Sequence, residues 1–83
     1  MGFGRFGGRL DEARVCIVGL GLIGGSLGMA LLSRRLVGEV IGVDLEDDII
    51  SEAREKGAIH RGSTDLAAGV EDVDILVIAT RVG

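Results

Sequence analysis

Gly19, Gly21 and Gly24 stand in the spacing G-x-G-x-x-G, within the run Gly19-Leu20-Gly21-Leu22-Ile23-Gly24. Such a pattern does chemistry only through its backbone. A glycine at the first position lets the chain turn sharply out of a strand. At the second it removes the Cβ that would hold a diphosphate away, and at the third it lets a helix pack closely on the sheet. The N–H groups of about Leu22 and Ile23 would then face an anion from a helix N-terminus, aided by the helix dipole. Gly25 and Gly28 continue the small face and are expected to bring the helix still closer to the first strand. Ser26 falls in the first helical turn, within reach of a phosphate. For these last three, packing and local backbone pairing are the simpler reading.

Asp44 lies twenty residues past Gly24, at the end of the second apolar run. An acid at about that distance accepts hydrogen bonds from the adenosine ribose hydroxyls in dinucleotide sites. A carboxylate there also repels a 2′-phosphate. Leu45, Glu46, Asp47 and Asp48 offer no cation to hold one, so the pattern favours NAD over NADP. The competing reading is an aspartate that serves only a turn or a cap. Thr80, Arg81 and Val82 follow the last strand at its carboxyl end, where ligands of open α/β sheets sit. An ordinary exposed loop is the alternative there.

Three other ligand classes share parts of the pattern. A methyltransferase loop more often reads G-x-G-x-G. A triphosphate loop requires G-K-[S/T], and the one lysine, Lys56, is far from the glycines. A flavin domain shares the spacing and often a glycine at the position of Gly28, but usually closes its second strand with Glu.

The remaining reactive residues are sparse. His60 is the single histidine and falls in a weak third strand away from the glycine loop, where a surface or strand role is expected. Cys16 lies inside the first strand and reads as a small buried apolar residue. The acidic runs 46–48 and 71–74 lack the spacing of a calcium loop. One cysteine and one histidine leave no Cys/His metal site and no internal disulfide. No pair of residues makes a general acid and base, so no catalytic residue is assigned.

These residues need elements to place them. Arg14–Val18 (RVCIV) is a β-branched run suited to a strand buried on both faces. Apolar positions Ile23, Leu27, Ala30 and Leu31 recur at helical spacing through Arg35, with Arg34 and Arg35 expected in the last turn. Val40–Val43 reads as a second strand. Asp47 and Asp48 are N-cap candidates for a helix through Lys56, with Gly57 just past its end. Ala58–His60 reads as a brief third strand, Leu66–Val70 as a short helix after Ser63-Thr64-Asp65, and Ile75–Ala79 as an apolar strand suited to the centre of a sheet. The order β-α-β-α-β-α-β implies an α/β fold: a partial doubly wound (Rossmann) parallel sheet with strand order 3-2-1-4. In that order the last strand would stand as an open apolar edge, which favours aggregation or pairing with another chain.

Composition bounds the rest. The chain has 83 residues, 15 glycines, no proline, and only Phe3 and Phe6 as aromatics. Residues 1–13 are expected to form a flexible Gly-rich leader and 14–83 the domain. The net charge of −4 argues against a nucleic-acid partner, which needs a basic face. No apolar run reaches the ~20 residues of a membrane helix. The N-terminus lacks the apolar core of a secretory signal, and a lone cysteine suits a reducing, cytoplasmic setting.

Beyond spacing, the string VCIVGLGLIGGSLGMALLSRRLVGEVIGVD closely resembles the start of prephenate and arogenate dehydrogenases. EKGAI, STDLAAGVEDVDILVIAT and the terminal VG extend the likeness to about residues 14–83. The resemblance implies an NAD-binding part of an enzyme of tyrosine biosynthesis. That enzyme carries out oxidative decarboxylation of prephenate or arogenate, with hydride passing to the nicotinamide. Gly19–Gly24, Asp44 and Thr80-Arg81-Val82 match the family's cofactor contacts. Arg81 departs from the family's A-T-P-V, where proline would fix φ. The resemblance also implies that the catalytic histidine, the substrate-binding arginines and a dimer-forming helical domain lie beyond Gly83, so that this chain is a fragment. Similar halves occur in 6-phosphogluconate and hydroxyacid dehydrogenases, and a stand-alone NAD-sensing module is a second expectation.

Overall fold

The structure, a computed structural model, describes residues 9–80. The expected leader lies mostly outside the described residues, as do Arg81 and Val82. Leu10–Glu12 form one 3-10 turn and Ala13 is fully buried. The Ala13 carbonyl accepts from Gly38 and Glu39 N–H, so the packed unit starts at least one residue before the expected boundary.

Four strands, β1 (Arg14–Val18), β2 (Glu39–Val43), β3 (Arg61–Ser63) and β4 (Ile75–Ile78), alternate with helices α1 (Leu22–Ser33), α2 (Asp47–Glu55) and α3 (Leu66–Gly69). All strand pairs are parallel, in the order β3-β2-β1-β4. The alternation and the order agree with the expectation from sequence. The β1 run Val15-Cys16-Ile17 and the β2 run Val40 to Val43 are buried throughout. Continuous apolar runs, rather than alternating ones, are what a sheet covered on both faces needs.

Side-chain contacts define the two faces. α1 and α2 cover the face carrying Val15, Ile17 and Val40, with Leu20 and Ile59 filling the space above Gly42. α3 lies on the opposite face, its Gly69 against Val43 and Cys16. Ile17, Ile41 and Val40 are the largest fully buried side chains. Each contributes on the order of 1.5–3 kcal/mol by leaving water. Gly42 and Gly62 are register partners and form a hollow in the sheet into which Leu20, Ile59 and Ile50 settle.

Several boundaries differ from the sequence reading. The third strand is Arg61–Ser63, not Ala58–His60. Ala58 and Ile59 are instead buried as a plug beneath α1, and their apolar character reflects that plug rather than a ladder. α1 ends at Ser33 with no basic residue in its last turn. Arg35 turns the chain with a left-handed φ of 52°, so the two arginines follow the helix. The α2 N-cap is Glu46, and Asp47 and Asp48 occupy the first turn, where their charges suit the helix dipole. Gly57 follows α2 with φ 76°, as its position predicts. α3 is capped by Asp65, whose carboxylate accepts the Ala67 N–H. β4 stops at Ile78 and stands at an edge. Its Ile75 and Val77 face the core, while Leu76 and Ile78 are exposed.

Candidate functional site

The carboxyl ends of β1, β2 and β4 meet at the glycine loop. Gly19 leaves β1 with φ 93°, a conformation that glycine adopts without a Cβ penalty. Its N–H donates to the Val43 carbonyl at 2.7 Å. A Cβ on Gly19 would stand 3.0 Å from the Thr80 nitrogen, so the turn and the end of β4 are in contact. The structure therefore brings Gly19, Asp44 and Thr80 to one edge of the sheet, with Thr80 exposed.

The three glycines of α1 and the one at its N-cap differ in what surrounds them. Gly24 is buried against the Gly19 carbonyl and Ile17, which is the close helix-to-strand packing expected of the third motif glycine. Gly28 approaches the Ala58 carbonyl rather than β1, which corrects the expectation that it would draw α1 onto β1. Gly25 makes only ordinary contact with the Leu20 carbonyl. Gly21 is different from all of these. It is exposed, its φ of −67° and ψ of −156° are open to any residue, and a Cβ placed on it would meet nothing within 4 Å among the described residues. Packing among the described residues gives no reason for glycine there.

Gly21 is also the N-cap of α1 and supplies no side-chain acceptor. Its carbonyl takes the first helical bond, from Gly25 N–H at 2.8 Å. The first helical N–H groups, those of Leu22 and Ile23 among them, lack intrahelical partners by helix geometry. No acid lies in that turn. Leu22 and Ile23 are 88% and 75% exposed, so the first turn of α1 lies at the surface. This arrangement can receive an anion.

Asp44 accepts two backbone N–H groups: Leu20 to Oδ2 at 2.8 Å and Glu46 to Oδ1 at 3.2 Å. It is half-buried. The acid is thus joined to the glycine loop, a link that sequence spacing alone does not reveal. Leu45 beside it is 90% exposed.

A cleft of about 390 Å³ opens from the loop between α1 and α2, reached by Gly21, Ser26, Met29, Ile49 and Lys56. Ser26 thus lines the cleft. Lys56 bonds Glu52 at 2.6 Å. That bond and the lysine charge hold the Glu52 carboxyl below its usual range. The cleft leaves no mark in the sequence, because helix separation is a tertiary quantity.

Residues set aside as structural have clear positions. Cys16 is fully buried, and burial pushes its thiol up. His60 sits at the opposite edge of the sheet, where its Nδ1 accepts the Val40 N–H at 2.9 Å. No group of three metal-ligating side chains and no helix long and apolar enough to cross a membrane occurs among the described residues.

The sheet order, the parallel pairing and the glycine turn define a partial Rossmann-like α/β unit. No family model matches the chain. Among curated proteins it is similar to the prephenate dehydrogenase of Bacillus subtilis (strain 168), with 32% identity over 68 residues, 82% of this chain. It is also similar to the prephenate dehydrogenase of Lactococcus lactis subsp. cremoris (strain MG1363), with 28% identity over 69 residues, 83% of this chain. The chain is a relative of the prephenate dehydrogenases, and it spans 18% and 19% of the length of these two proteins.

Proposed function

We propose that the chain is the NAD-binding part of a prephenate- or arogenate-type dehydrogenase and holds the ADP half of the cofactor. Gly21 carries this reading. Its glycine is unexplained by packing or by backbone conformation, and a diphosphate laid on the loop would need that space. Gly19 and Gly24 shape the turn, Leu22 and Ile23 offer amides to the diphosphate, and Asp44 faces the ribose. Thr80, followed by Arg81 and Val82, borders the cofactor from the end of β4.

A carboxylate at Asp44 with no cation in residues 45–48 selects NAD against NADP. When bound, NAD supplies a nicotinamide that accepts hydride. In the parent enzyme that hydride would come from prephenate or arogenate during oxidative decarboxylation, consistent with the name of both relatives. This chain's own residues bind and orient the cofactor, and no side chain here is assigned to the proton or hydride step.

Titrating the 83-residue chain with NAD and with NADP tests the reading. Saturable NAD binding with weaker NADP binding is expected, together with no NADH formation when prephenate is added. Absence of saturable NAD binding would overturn it. Turnover by the chain alone would show that catalytic groups lie within these residues. A yellow purified protein would point to flavin instead.

A further inference from the structure

Building on the reading of the loop as a diphosphate cradle, we infer that Asp44 is a positioning residue for that loop as well as the acid facing the sugar. The end of β2 holds the loop at two successive residues. The Val43 carbonyl accepts the Gly19 N–H at 2.7 Å, and Asp44 Oδ2 accepts the Leu20 N–H at 2.8 Å. Any residue at position 43 supplies the first acceptor. Only a side chain with a suitably placed oxygen at position 44 supplies the second. Leu20 is 5% exposed and its side chain closes the hollow above Gly42. Packing thus holds the side chain of the residue between the two motif glycines, and the bond holds its amide. Without Asp44 the Leu20 N–H loses its acceptor in a part-buried setting, which is costly. The Gly19–Gly21 backbone is then held by one bond fewer in the conformation that presents the Leu22 and Ile23 amides.

The two roles predict opposite signs for binding of the diphosphate itself. Asp44 is an anion near an anion site, so deleting its charge strengthens diphosphate binding by Coulomb's law alone. Deleting the loop anchor weakens it. Asp44→Asn removes the charge and keeps a carbonyl oxygen able to accept from Leu20, whereas Asp44→Ala removes both. The two variants share a net charge, and the anchor separates them.

The test uses the full 83-residue chain with inorganic pyrophosphate, which has no ribose, as probe, and hydrogen exchange at the Leu20 and Gly21 amides as a second readout. The Asp44→Asn variant is expected to bind pyrophosphate at least as tightly as the wild type. The Asp44→Ala variant should bind about fivefold more weakly than the Asn variant, with faster exchange at Leu20. Equal pyrophosphate affinity and equal Leu20 exchange in the two variants would overturn the inference. If the wild type binds no pyrophosphate, the diphosphate reading fails, and Leu20 exchange alone then decides the anchoring role. Should the Ala variant fail to fold, Asp44→Leu replaces it, since its side chain is close in size and carries no acceptor for Leu20.

Discussion

Gly24 rests against the carbonyl oxygen of Gly19 so closely that a Cβ at residue 24 would overlap it. One glycine of the loop is therefore demanded by the protein's own packing, while Gly21, three residues earlier, is demanded by no packing contact among the described residues. The pair predicts a separation of stability from binding. Gly24→Ala must push α1 away from β1, at a cost of about 2 kcal/mol or more, seen as a fall of roughly 10 °C in thermal unfolding. Gly21→Val should change stability by less than about 1 kcal/mol and abolish NAD binding in a calorimetric titration. Retained binding by the Val variant would rule out a diphosphate lying on this loop.

The Asp44 side chain also sets cofactor choice in this reading. Asp44→Ala should weaken NAD and narrow its advantage over NADP by about tenfold, the scale of one hydrogen bond to a charged acceptor. Parallel titrations with both nucleotides measure it. An unchanged ratio would remove Asp44 from the sugar contact.

His60 holds the amide at the start of β2. Val40 is fully buried, so His60→Ala strands its N–H and should cost about 1–3 kcal/mol in chemical denaturation. His60→Asn can offer a side-chain oxygen near the position of Nδ1 and should recover most of that loss. NAD affinity should hardly change in the Asn variant, because the ring stands at the sheet edge opposite the glycine loop.

Cys16 combines full burial with a thiol pushed up by that burial. Since the thiolate is the reactive form, iodoacetamide should leave the native chain unmodified and label it fully in denaturant. Rapid labelling under native conditions would mean that β1 is accessible.

β4 stands at the edge with Leu76 and Ile78 exposed on one face, at 49% and 69%. Such an edge favours strand pairing between chains. Ile78→Lys should lower self-association of the 83-residue chain in light scattering, with little loss of fold, because the side chain already faces solvent.

Much of the fold is legible in the sequence for simple reasons. β1 and β2 are short continuous β-branched runs, which few other contexts require. α1 opens on glycines and α2 closes at Gly57, so local conformational demands mark their ends. The third strand is not legible in this way, because Ala58 and Ile59 look like a ladder segment yet serve as a core plug, and apolar character does not distinguish the two. The helix dipole favours Arg34 and Arg35 in the last turn of α1, whereas the chain's route to β2 holds Arg35 in a left-handed turn past the helix.

By itself the sequence determined the parallel βαβ order, the turn out of β1 and the pairing of a glycine loop with an acid twenty residues on. All of these rest on local periodicity, backbone freedom and spacing along the chain. Only the tertiary structure decided which glycines are needed for packing and which stands in open space, that Gly28 meets Ala58, and that Asp44 bonds Leu20. Those outcomes depend on how far apart segments distant in sequence come to rest, and that separation is set by the side chains filling the space between them.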